Sequence, residues 1–250
     1  MRRDLTDGTV APEASVPHAG GTEASGATVP LAASGLELRE DDGGLALVGD
    51  GMVLRADLTK MKPRLRPDRL GRELLVRAAR IRGADGPLTA VDATAGLGED
   101  ALLLAAAGFS VTLFERDPVI VALLRDSLER ALRDDVLADP VSRMTLVEGD
   151  SIEGLRSLGW RPDVVFLDPM FPGRTKSAAV KKKFQLLHHL ESPCDDERGL
   201  LDAALAAAPR KVVVKRPPKG PWLAGARPSH SVSGKAVRYD VLVPPRGEND

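Results

Sequence analysis

The sequence predicts an α/β protein with a mostly parallel sheet, helices on both faces and an antiparallel C-terminal strand, preceded by a small β-meander. Short apolar runs alternate with helix-like stretches from about residue 88 onward, which is typical of a parallel sheet covered by helices. A final run at 237–243 can pair antiparallel at or near the sheet edge. Upstream, Asp-Gly pairs between apolar runs favour hairpins, because glycine adopts positive φ at little cost.

The individual elements follow from these runs. In the meander, strands are predicted at 36–38, 45–48 and 52–54. In the main domain, the predicted strands are 88–91, 111–114, 144–147, 164–167 and 212–214. Helices are predicted at about 99–107, 118–133, 151–158, 177–190 and 196–208. A further helix, capped by Asp68, is predicted to carry Leu70, Leu74, Ala78 and Ile81 on one face.

The same patterns divide the chain into three parts. Residues 1–33 are rich in Ala, Gly, Thr, Ser and Pro and lack a hydrophobic period, so we expect a disordered tail. Residues 34–60 are expected to form the meander, and residues 61–250 the main domain.

Composition limits the function. Lys and Arg total 35 against 36 Asp and Glu, so any contact with nucleic acid must come from a local basic patch. The single cysteine, Cys194, excludes a disulfide framework and argues against a cysteine metal cluster. We expect no metal role for the adjacent His188 and His189. We also expect a cytoplasmic protein without a membrane partner, because neither a signal sequence nor a membrane-length apolar run is present.

A glycine-containing loop after the first main-domain strand is the candidate cofactor site. Asp92 starts this loop, and Gly96 and Gly98 allow it to turn tightly beside a ligand. Glu99 and Asp100 follow at the start of the next helix, and these acids suit a cationic amino-acid cofactor better than a phosphate.

Two more strand ends complete that site. Glu115 ends the second strand, where a carboxylate can accept hydrogen bonds from ribose hydroxyls. Asp150 and Ser151 follow the third strand, where an adenine edge would be read. Nicotinamide-dependent oxidoreductases share these features, but their Gly-x-Gly-x-x-Gly pattern is not met, since Ala101 stands at its third position.

The fourth strand ends in an acid, a proline and an aromatic residue that could grip a base. The Asp168 carboxylate and the Pro169 carbonyl can each accept one N–H of an exocyclic amino group, and Phe171 can stack on the ring. Nearby basic residues are candidates for RNA phosphate contacts. They are Lys176, Lys181, Lys182, Lys215 and Arg216.

Together these segments resemble the ribosomal small-subunit RNA methyltransferase J family. The resemblance spans about residues 88–243, and the Asp-Pro-Met-Phe-Pro run is its most distinctive part. The matching segments are Val91-Asp92-Ala93-Thr94-Ala95-Gly96-Leu97-Gly98, Glu115-Arg116-Asp117-Pro118-Val119, Leu167-Asp168-Pro169-Met170-Phe171-Pro172, Lys176-Ser177-Ala178 with Val180-Lys181-Lys182, and Val212-Val213-Val214-Lys215-Arg216-Pro217.

The resemblance implies a class I methyltransferase fold, S-adenosylmethionine (SAM) as cofactor, and methylation of a guanine N2 amino group in small-subunit ribosomal RNA. By motif position it places SAM contacts at Glu99, Asp100, Glu115, Arg116, Asp150, Ser151 and Asp168. The chain departs from the family at Glu99, where arginine is usual. It also departs at Arg64-Leu65-Arg66-Pro67-Asp68-Arg69, which replaces a glycine-rich segment, and in its long N-terminal tail.

Three alternatives remain from the sequence. The same chemistry could act on another RNA or on DNA, the protein could be a nicotinamide-dependent oxidoreductase, or it could be a non-catalytic RNA-binding factor with a vestigial SAM pocket. The expected partner is ribosomal RNA or the small ribosomal subunit, and the sequence does not give the oligomeric state.

Overall fold

The fold contains two sheets, and the larger one carries the candidate site. The computed structural model describes residues 28–31, 35–84, 86–169 and 196–245. The strands are β1 Thr28–Leu31, β2 Leu36–Asp41, β3 Gly44–Gly49, β4 Met52–Leu54, β5 Leu88–Asp92, β6 Phe109–Glu115, β7 Met144–Glu148, β8 Val164–Leu167, β9 Lys211–Arg216, β10 His230–Ser233 and β11 Arg238–Leu242.

The helices lie between these strands, as the alternating pattern predicts. They are α1 Lys62–Leu65, α2 Pro67–Leu70, α3 Leu74–Ala79, α4 Glu99–Ala106, α5 Pro118–Ala131, α6 Ala138–Val141, α7 Ser151–Arg156 and α8 Glu197–Ala206. Two 3-10 turns span Leu58–Met61 and Leu223–Gly225. The predicted helix at 177–190 lies outside the described residues.

The larger sheet has seven strands in the order β10-β11-β9-β8-β5-β6-β7. Strands β5 to β9 pair in parallel, and β11 pairs antiparallel with β9, as the sequence predicts. Strand β5 lies between β6 and β8, so the chain leaves it in one direction and later returns on its other side. Ligands of open α/β sheets bind at such a switch point, beyond the carboxyl ends of the strands.

Side-chain alternation builds a core on each face of this sheet. In β8, Val164 and Phe166 pack into one buried cluster with helix α4, whereas Val165 and Leu167 pack into another with α8. Every side chain of β8 is buried, which explains why its sequence is a continuous apolar run.

The small sheet, in the order β1-β2-β3-β4, packs on helix α5. Leu47 and Leu54 from this sheet are buried against Ile120 and Leu123 of the helix. The prediction of disorder through residue 33 is therefore wrong for Thr28–Leu31, which pairs with β2. An edge strand tolerates Pro30 because its missing N–H need not face another strand.

Two further predictions need correction. The helix expected around Leu70–Ile81 is divided into α2 and α3, because the chain leaves helical geometry between Gly71 and Leu74. Arg66 rather than Asp68 stands at the cap position of α2, and Asp68 lies in its first turn. Strand β10 was not predicted from the sequence; it pairs with β11 at the edge of the large sheet.

Candidate active site

The glycine loop connects β5 to α4 at the switch point. Gly96 and Gly98 have φ values of +51° and +79°, in the left-handed region that favours glycine. Gly98 occupies the cap position of α4, and a Cβ atom there would lie 2.7 Å from Leu124 Cδ1. Both glycines are thus required by backbone geometry, and Gly98 also by close packing.

Glu115, at the end of β6, is tied to this loop. Its Oε2 accepts a hydrogen bond from the Gly96 N–H at 3.0 Å, and its Oε1 accepts from the N–H groups of Arg116 and Asp117 at 2.9 Å each. Burial raises the pKa of Glu115, although these three N–H groups lower it. A carboxylate has about four lone-pair positions. Three of these positions are taken by the N–H groups, which leaves one for a ribose hydroxyl.

Asp150 and Ser151 stand at the start of α7, after the neighbouring strand β7. The Asp150 Oδ1 caps the helix by accepting from the N–H groups of Ile152 at 2.8 Å and Glu153 at 3.2 Å. Neither cap bond uses Oδ2, so that oxygen can still accept from an adenine amino group. Ser151 is the first residue of the helix and is half-buried.

Asp92 differs from the other acids of the site because it is fully buried, with 1% of its surface exposed. Burial raises its pKa to about 8, although the Thr94 N–H, which donates to Oδ1 at 3.0 Å, acts in the opposite direction. Burial therefore favours the protonated, neutral form of Asp92. The sequence had treated it as an anion facing a cationic cofactor; its surroundings instead make it an acceptor that shapes the loop.

Asp168 lies directly beside this loop, at the end of β8. Its backbone N–H donates to Thr94 Oγ1 at 2.7 Å, and the Ala93 N–H donates to the Phe166 carbonyl at 3.1 Å. These bonds join the ends of β5 and β8. The Asp168 side chain remains 35% exposed, so its carboxylate can reach a substrate. Burial raises the pKa of Asp168, and the charge of Lys215 opposes this shift.

Lys215 and Arg216 do not have the exposed positions expected of phosphate-binding residues. Lys215 Nζ lies 2.6 Å from Asp100 Oδ2 and 2.8 Å from Asp168 Oδ2, inside the site. The Arg216 side chain has no exposed surface, donates to the Pro221 carbonyl at 2.8 Å and lies 3.4 Å from Glu197. The predicted RNA-contact role does not fit either side chain, because both are engaged within the protein.

The remaining predicted residues divide into buried, exposed and undescribed groups. Pro169 is buried beside Asp168, whereas Glu99 and Arg116 are exposed at the edge of the site. Phe171, Lys176, Lys181 and Lys182 lie outside the described residues.

A family comparison identifies this arrangement. Residues 21–244 match the family model described as "Putative SAM-dependent methyltransferase". The chain belongs to this methyltransferase family. Its cofactor is therefore SAM, and the resemblance to the ribosomal small-subunit RNA methyltransferase J family is confirmed by the relatives described next.

Two relatives show how much of the chain the similarity covers. A protein of Marinobacter nauticus named Ribosomal RNA small subunit methyltransferase J is 45% identical over 214 residues, 83% of this chain and 77% of its own length. A protein of the same name from Thioalkalivibrio sulfidiphilus is 50% identical over 173 residues, 68% of each chain.

The fold is also shared with a solved structure. The crystal structure of a SAM-dependent methyltransferase from Neisseria gonorrhoeae is similar, with a TM-score of 0.66 and 34% sequence identity. The similarity covers 82% of this chain and 81% of the other. The methyltransferase therefore has a class I, Rossmann-like fold, as the sequence predicts.

The described residues fit SAM. Within the described part of the chain, no heavy atom outside the immediate neighbours of Gly96 lies within 4 Å of where its Cβ would stand, so the loop is open on that side. Glu115 and Asp150 keep acceptor oxygens for the ribose and the adenine, on the two strand ends that follow in the sheet order. Asp168 stands across the switch point from them, where the methyl group would be delivered.

Sequence reasoning missed two residues of the methyltransferase site. Thr94 accepts from the Asp168 N–H and donates its own N–H to Asp92, so it connects the two strand ends. Tyr239 of β11 is buried, pairs in register with Lys215 and stacks in a tilted geometry on Phe166, with ring centroids 6.4 Å apart. Thr94 lay within the quoted loop motif, whereas only the pairing of β11 with β9 reveals Tyr239.

Metal-ligand clusters and membrane-spanning helices were both sought among the described residues. Among them, no cluster of three or more His, Cys, Asp and Glu side chains could hold a metal ion. No described helix is both long enough and apolar enough to span a bilayer.

Proposed function

We propose that this SAM-dependent methyltransferase modifies the exocyclic N2 amino group of a guanine in small-subunit ribosomal RNA, in the cytoplasm. The observation that carries the proposal is the Asp168 carboxylate, accessible and fixed beside the cofactor loop through Thr94. Relatives named Ribosomal RNA small subunit methyltransferase J support the substrate class. The family resemblance of residues 167–172 supports the choice of guanine N2.

The chemistry requires orientation more than a strong base. The lone pair of an exocyclic amino group is delocalised into the ring, so the nitrogen is a poor nucleophile until its geometry is fixed. SAM supplies a methyl group whose bond to sulfur breaks, leaving the electron pair on sulfur, as the new carbon–nitrogen bond forms. Accepting one N–H at Asp168 and the other at the Pro169 carbonyl aims the lone pair at that methyl group. Phe171 would hold the ring by stacking.

Proton transfer follows from the same arrangement. The amino nitrogen becomes acidic only as the new bond forms, so the proton leaves late. Asp168 is the ionisable acceptor of the proposed substrate position, and its exposed surface lets it pass the proton to water. Asp168 is therefore an orienting acceptor first and a proton acceptor second.

The proposed RNA surface must exclude Lys215 and Arg216, which bind other parts of the protein. On the described surface, the loop that follows β9 offers Lys219 and Trp222, both exposed. Arg216 donates to the Pro221 carbonyl, and Arg238 donates to the carbonyls of Pro218 and Gly220 at 2.9 and 3.1 Å. These bonds hold the loop in one shape at the same sheet edge as Asp168, where a base could stack on Trp222. Lys176, Lys181 and Lys182 remain proposed phosphate contacts.

Mass spectrometry of ribosomal RNA nucleosides tests the proposal. We expect small-subunit RNA from cells lacking the gene to lose one N2-methylguanosine, and expression of the wild-type chain to restore it. An Asp168→Ala chain expressed at the same level should not restore it. Loss of a different methylated nucleoside would overturn the N2 assignment, and an unchanged nucleoside profile would overturn the ribosomal substrate.

In vitro methylation then identifies the form of the substrate. Purified protein, SAM and either naked small-subunit RNA or assembled small subunits would be compared under the same salt conditions. The net charge of −1 gives little long-range attraction to RNA, so we expect the assembled subunit to be the better substrate. Equal rates on both would show that the RNA alone supplies the recognition.

A further inference from the structure

Lys215 occupies an unusual position, between an acid of the cofactor loop and the proposed catalytic acid. It lies near the end of β9, next to β8, and its side chain is only 27% exposed. Its Nζ contacts Asp100 Oδ2 at 2.6 Å and Asp168 Oδ2 at 2.8 Å. Asp100 belongs to the first turn of α4, and this helix begins directly after Gly98. One ammonium group therefore joins the end of the cofactor loop to Asp168.

Electrostatics keep this lysine charged. Burial alone would lower the pKa of Lys215, but the charges of Asp100 and Asp168 raise it above its ordinary value. Without the ammonium, two carboxylates would face each other at the edge of a buried cluster, and one of them would take up a proton or turn away. The lysine therefore determines both the charge and the direction of Asp168.

The bond to Lys215 also decides which oxygen of Asp168 is left for a substrate. The Asp168 backbone is held by Thr94 Oγ1, and its Oδ2 is held by Lys215. With both points fixed, the carboxyl group cannot rotate freely. Its Oδ1 remains as the acceptor for a substrate amino group.

We propose that Lys215 is a positioning residue for methyl transfer. It fixes Asp168 through Oδ2, so that Oδ1 accepts the substrate N–H at a set position relative to the cofactor loop. The proposal rests on the proposed function, because it needs a substrate amino group at Asp168. It assigns Lys215 no contact with the RNA backbone.

Steady-state methylation by two lysine variants of the full chain tests this. Lys215→Met removes the ammonium but keeps much of the apolar stem. Lys211→Met is the matched control, because Lys211 lies on the same strand and, among the described residues, its Nζ bonds only to the Ala78 and Arg80 carbonyls at 3.2 and 2.6 Å. We expect Lys215→Met to lower kcat about 100-fold, the scale of a misplaced reacting group, with KM for the RNA substrate unchanged. Lys211→Met should keep the wild-type kcat.

A pH profile separates positioning from a structural role. Asp168 loses its closest cation in Lys215→Met, so the acidic limb of kcat should move to higher pH. The charged or titratable groups that act on Asp168 are Lys215, Asp100, Asp92, Arg216 and Tyr239. Lys215→Arg keeps a positive charge with different geometry, so it should restore the pH limb but only part of kcat.

A double-mutant cycle with Asp168→Asn gives the decisive result. If Lys215 acts through Asp168, adding Lys215→Met to Asp168→Asn should change kcat by less than about twofold. Additive losses, or a wild-type kcat for Lys215→Met alone, would overturn the proposal. Should Lys215→Met fail to fold by circular dichroism, Lys215→Arg in the same cycle gives the same two outcomes.

The two proposals fail in different ways. A wild-type chain that binds S-adenosylhomocysteine but does not methylate small-subunit RNA contradicts the proposed function. A wild-type chain that methylates this RNA and a Lys215→Met chain that does so equally well contradict only the role of Lys215.

Discussion

At the residue scale, acids that look alike in the sequence differ in their role because they differ in burial and in partners. Asp92 is buried, which raises its pKa, and it accepts a hydrogen bond from the Thr94 N–H, which lowers the pKa by less. Asp168 directly follows the neighbouring strand β8; burial raises its pKa, and the Lys215 ammonium that it faces opposes this rise. One acid therefore shapes the loop, and the other is available for chemistry.

The neutral state of Asp92 predicts a particular pH dependence of stability. Its native pKa of about 8 lies above the ordinary value of 3.8, so between these pH values the native protein holds a proton that the unfolded chain has released. The stability contribution of Asp92 is complete below about pH 4 and falls as pH rises toward 8. Asp92→Asn cannot ionise and keeps an acceptor for the Thr94 N–H, so its free energy of unfolding should fall less between pH 5 and pH 8.

Urea unfolding at several pH values would measure this difference. Glu129→Gln, on the exposed side of α5, is the control and should follow the wild-type curve. Parallel curves for wild type and Asp92→Asn would show that Asp92 is ionised in the native protein.

Replacing Asp168 tests the chemistry directly. Asp168→Ala removes the orienting acceptor, so we expect methyl transfer to fall by at least about 100-fold. The affinity for RNA, measured by filter binding, should stay close to wild type. Asp202→Ala, an exposed acid on α8, should keep full activity. Unchanged turnover in Asp168→Ala would remove this residue from the mechanism and favour a different acceptor.

At the element scale, helix α4 matters because its beginning forms the cofactor loop. Gly98 stands before the helix and Gly108 after it, and both have positive φ values, +79° and +98°. They differ in their surroundings. A Cβ on Gly98 would meet the buried Leu124 at 2.7 Å, whereas a Cβ on Gly108 would have no heavy atom outside its immediate neighbours within 4 Å in the described part of the chain.

This pair separates backbone strain from crowding. Gly108→Ala should cost about 1 kcal/mol of unfolding free energy from the left-handed backbone alone. Gly98→Ala should cost about 1–3 kcal/mol more, because Leu124 or the loop must move. Thermal or urea unfolding measures both, and only Gly98→Ala should weaken S-adenosylhomocysteine binding. Equal losses of stability in the two variants would mean that Leu124 moves aside without lowering the free energy of unfolding.

At the scale of the whole molecule, the switch point brings four separate chain segments to one edge of the sheet. The acids lie at or just after the ends of β5, β6, β7 and β8. Strand β9, which pairs with β8 on the side away from β5, adds Lys215. Helix α8 begins at this same edge and the loop after β9 lies there, where the Pro221 carbonyl and Glu197 engage Arg216. RNA is expected to meet the protein at this edge.

The two tryptophans allow a test of that expectation. Trp222 is 44% exposed in the loop after β9, and Trp160 is 41% exposed just before the amino end of β8, at the opposite edge. Base stacking is worth about 1–3 kcal/mol. Trp222→Ala should therefore raise KM for RNA about tenfold or more without changing kcat, and Trp160→Ala should leave both unchanged.

Fluorescence gives the same test without turnover. In a Trp160→Phe chain, Trp222 is the remaining tryptophan, and an RNA fragment of the substrate should quench its emission. In a Trp222→Phe chain, the same RNA should leave Trp160 emission unchanged. Quenching of Trp160 alone would place the RNA at the other edge of the sheet.

The sequence by itself determined the strand–helix alternation, the antiparallel last strand, the glycine loop and the acids at the strand ends. These features are encoded locally: Gly98 needs its backbone angle, and Val164–Leu167 is buried on both faces, so each leaves a pattern within a few residues. The positions of Asp92, Glu115, Asp150 and Asp168 then follow from the rule that parallel strands end at one edge.

Only the tertiary structure decided the charge and partners of those side chains. Lys215 meets Asp100 from 115 residues away, Arg216 is buried against Glu197, and the pKa of Asp92 is raised because the sheet buries it. From the sequence, Lys215 and Arg216 were predicted to contact phosphates, since the neighbouring residues show that a side chain is basic but not what it faces. Burial and ion pairing depend on distant segments, so they are settled only when the sheet is assembled.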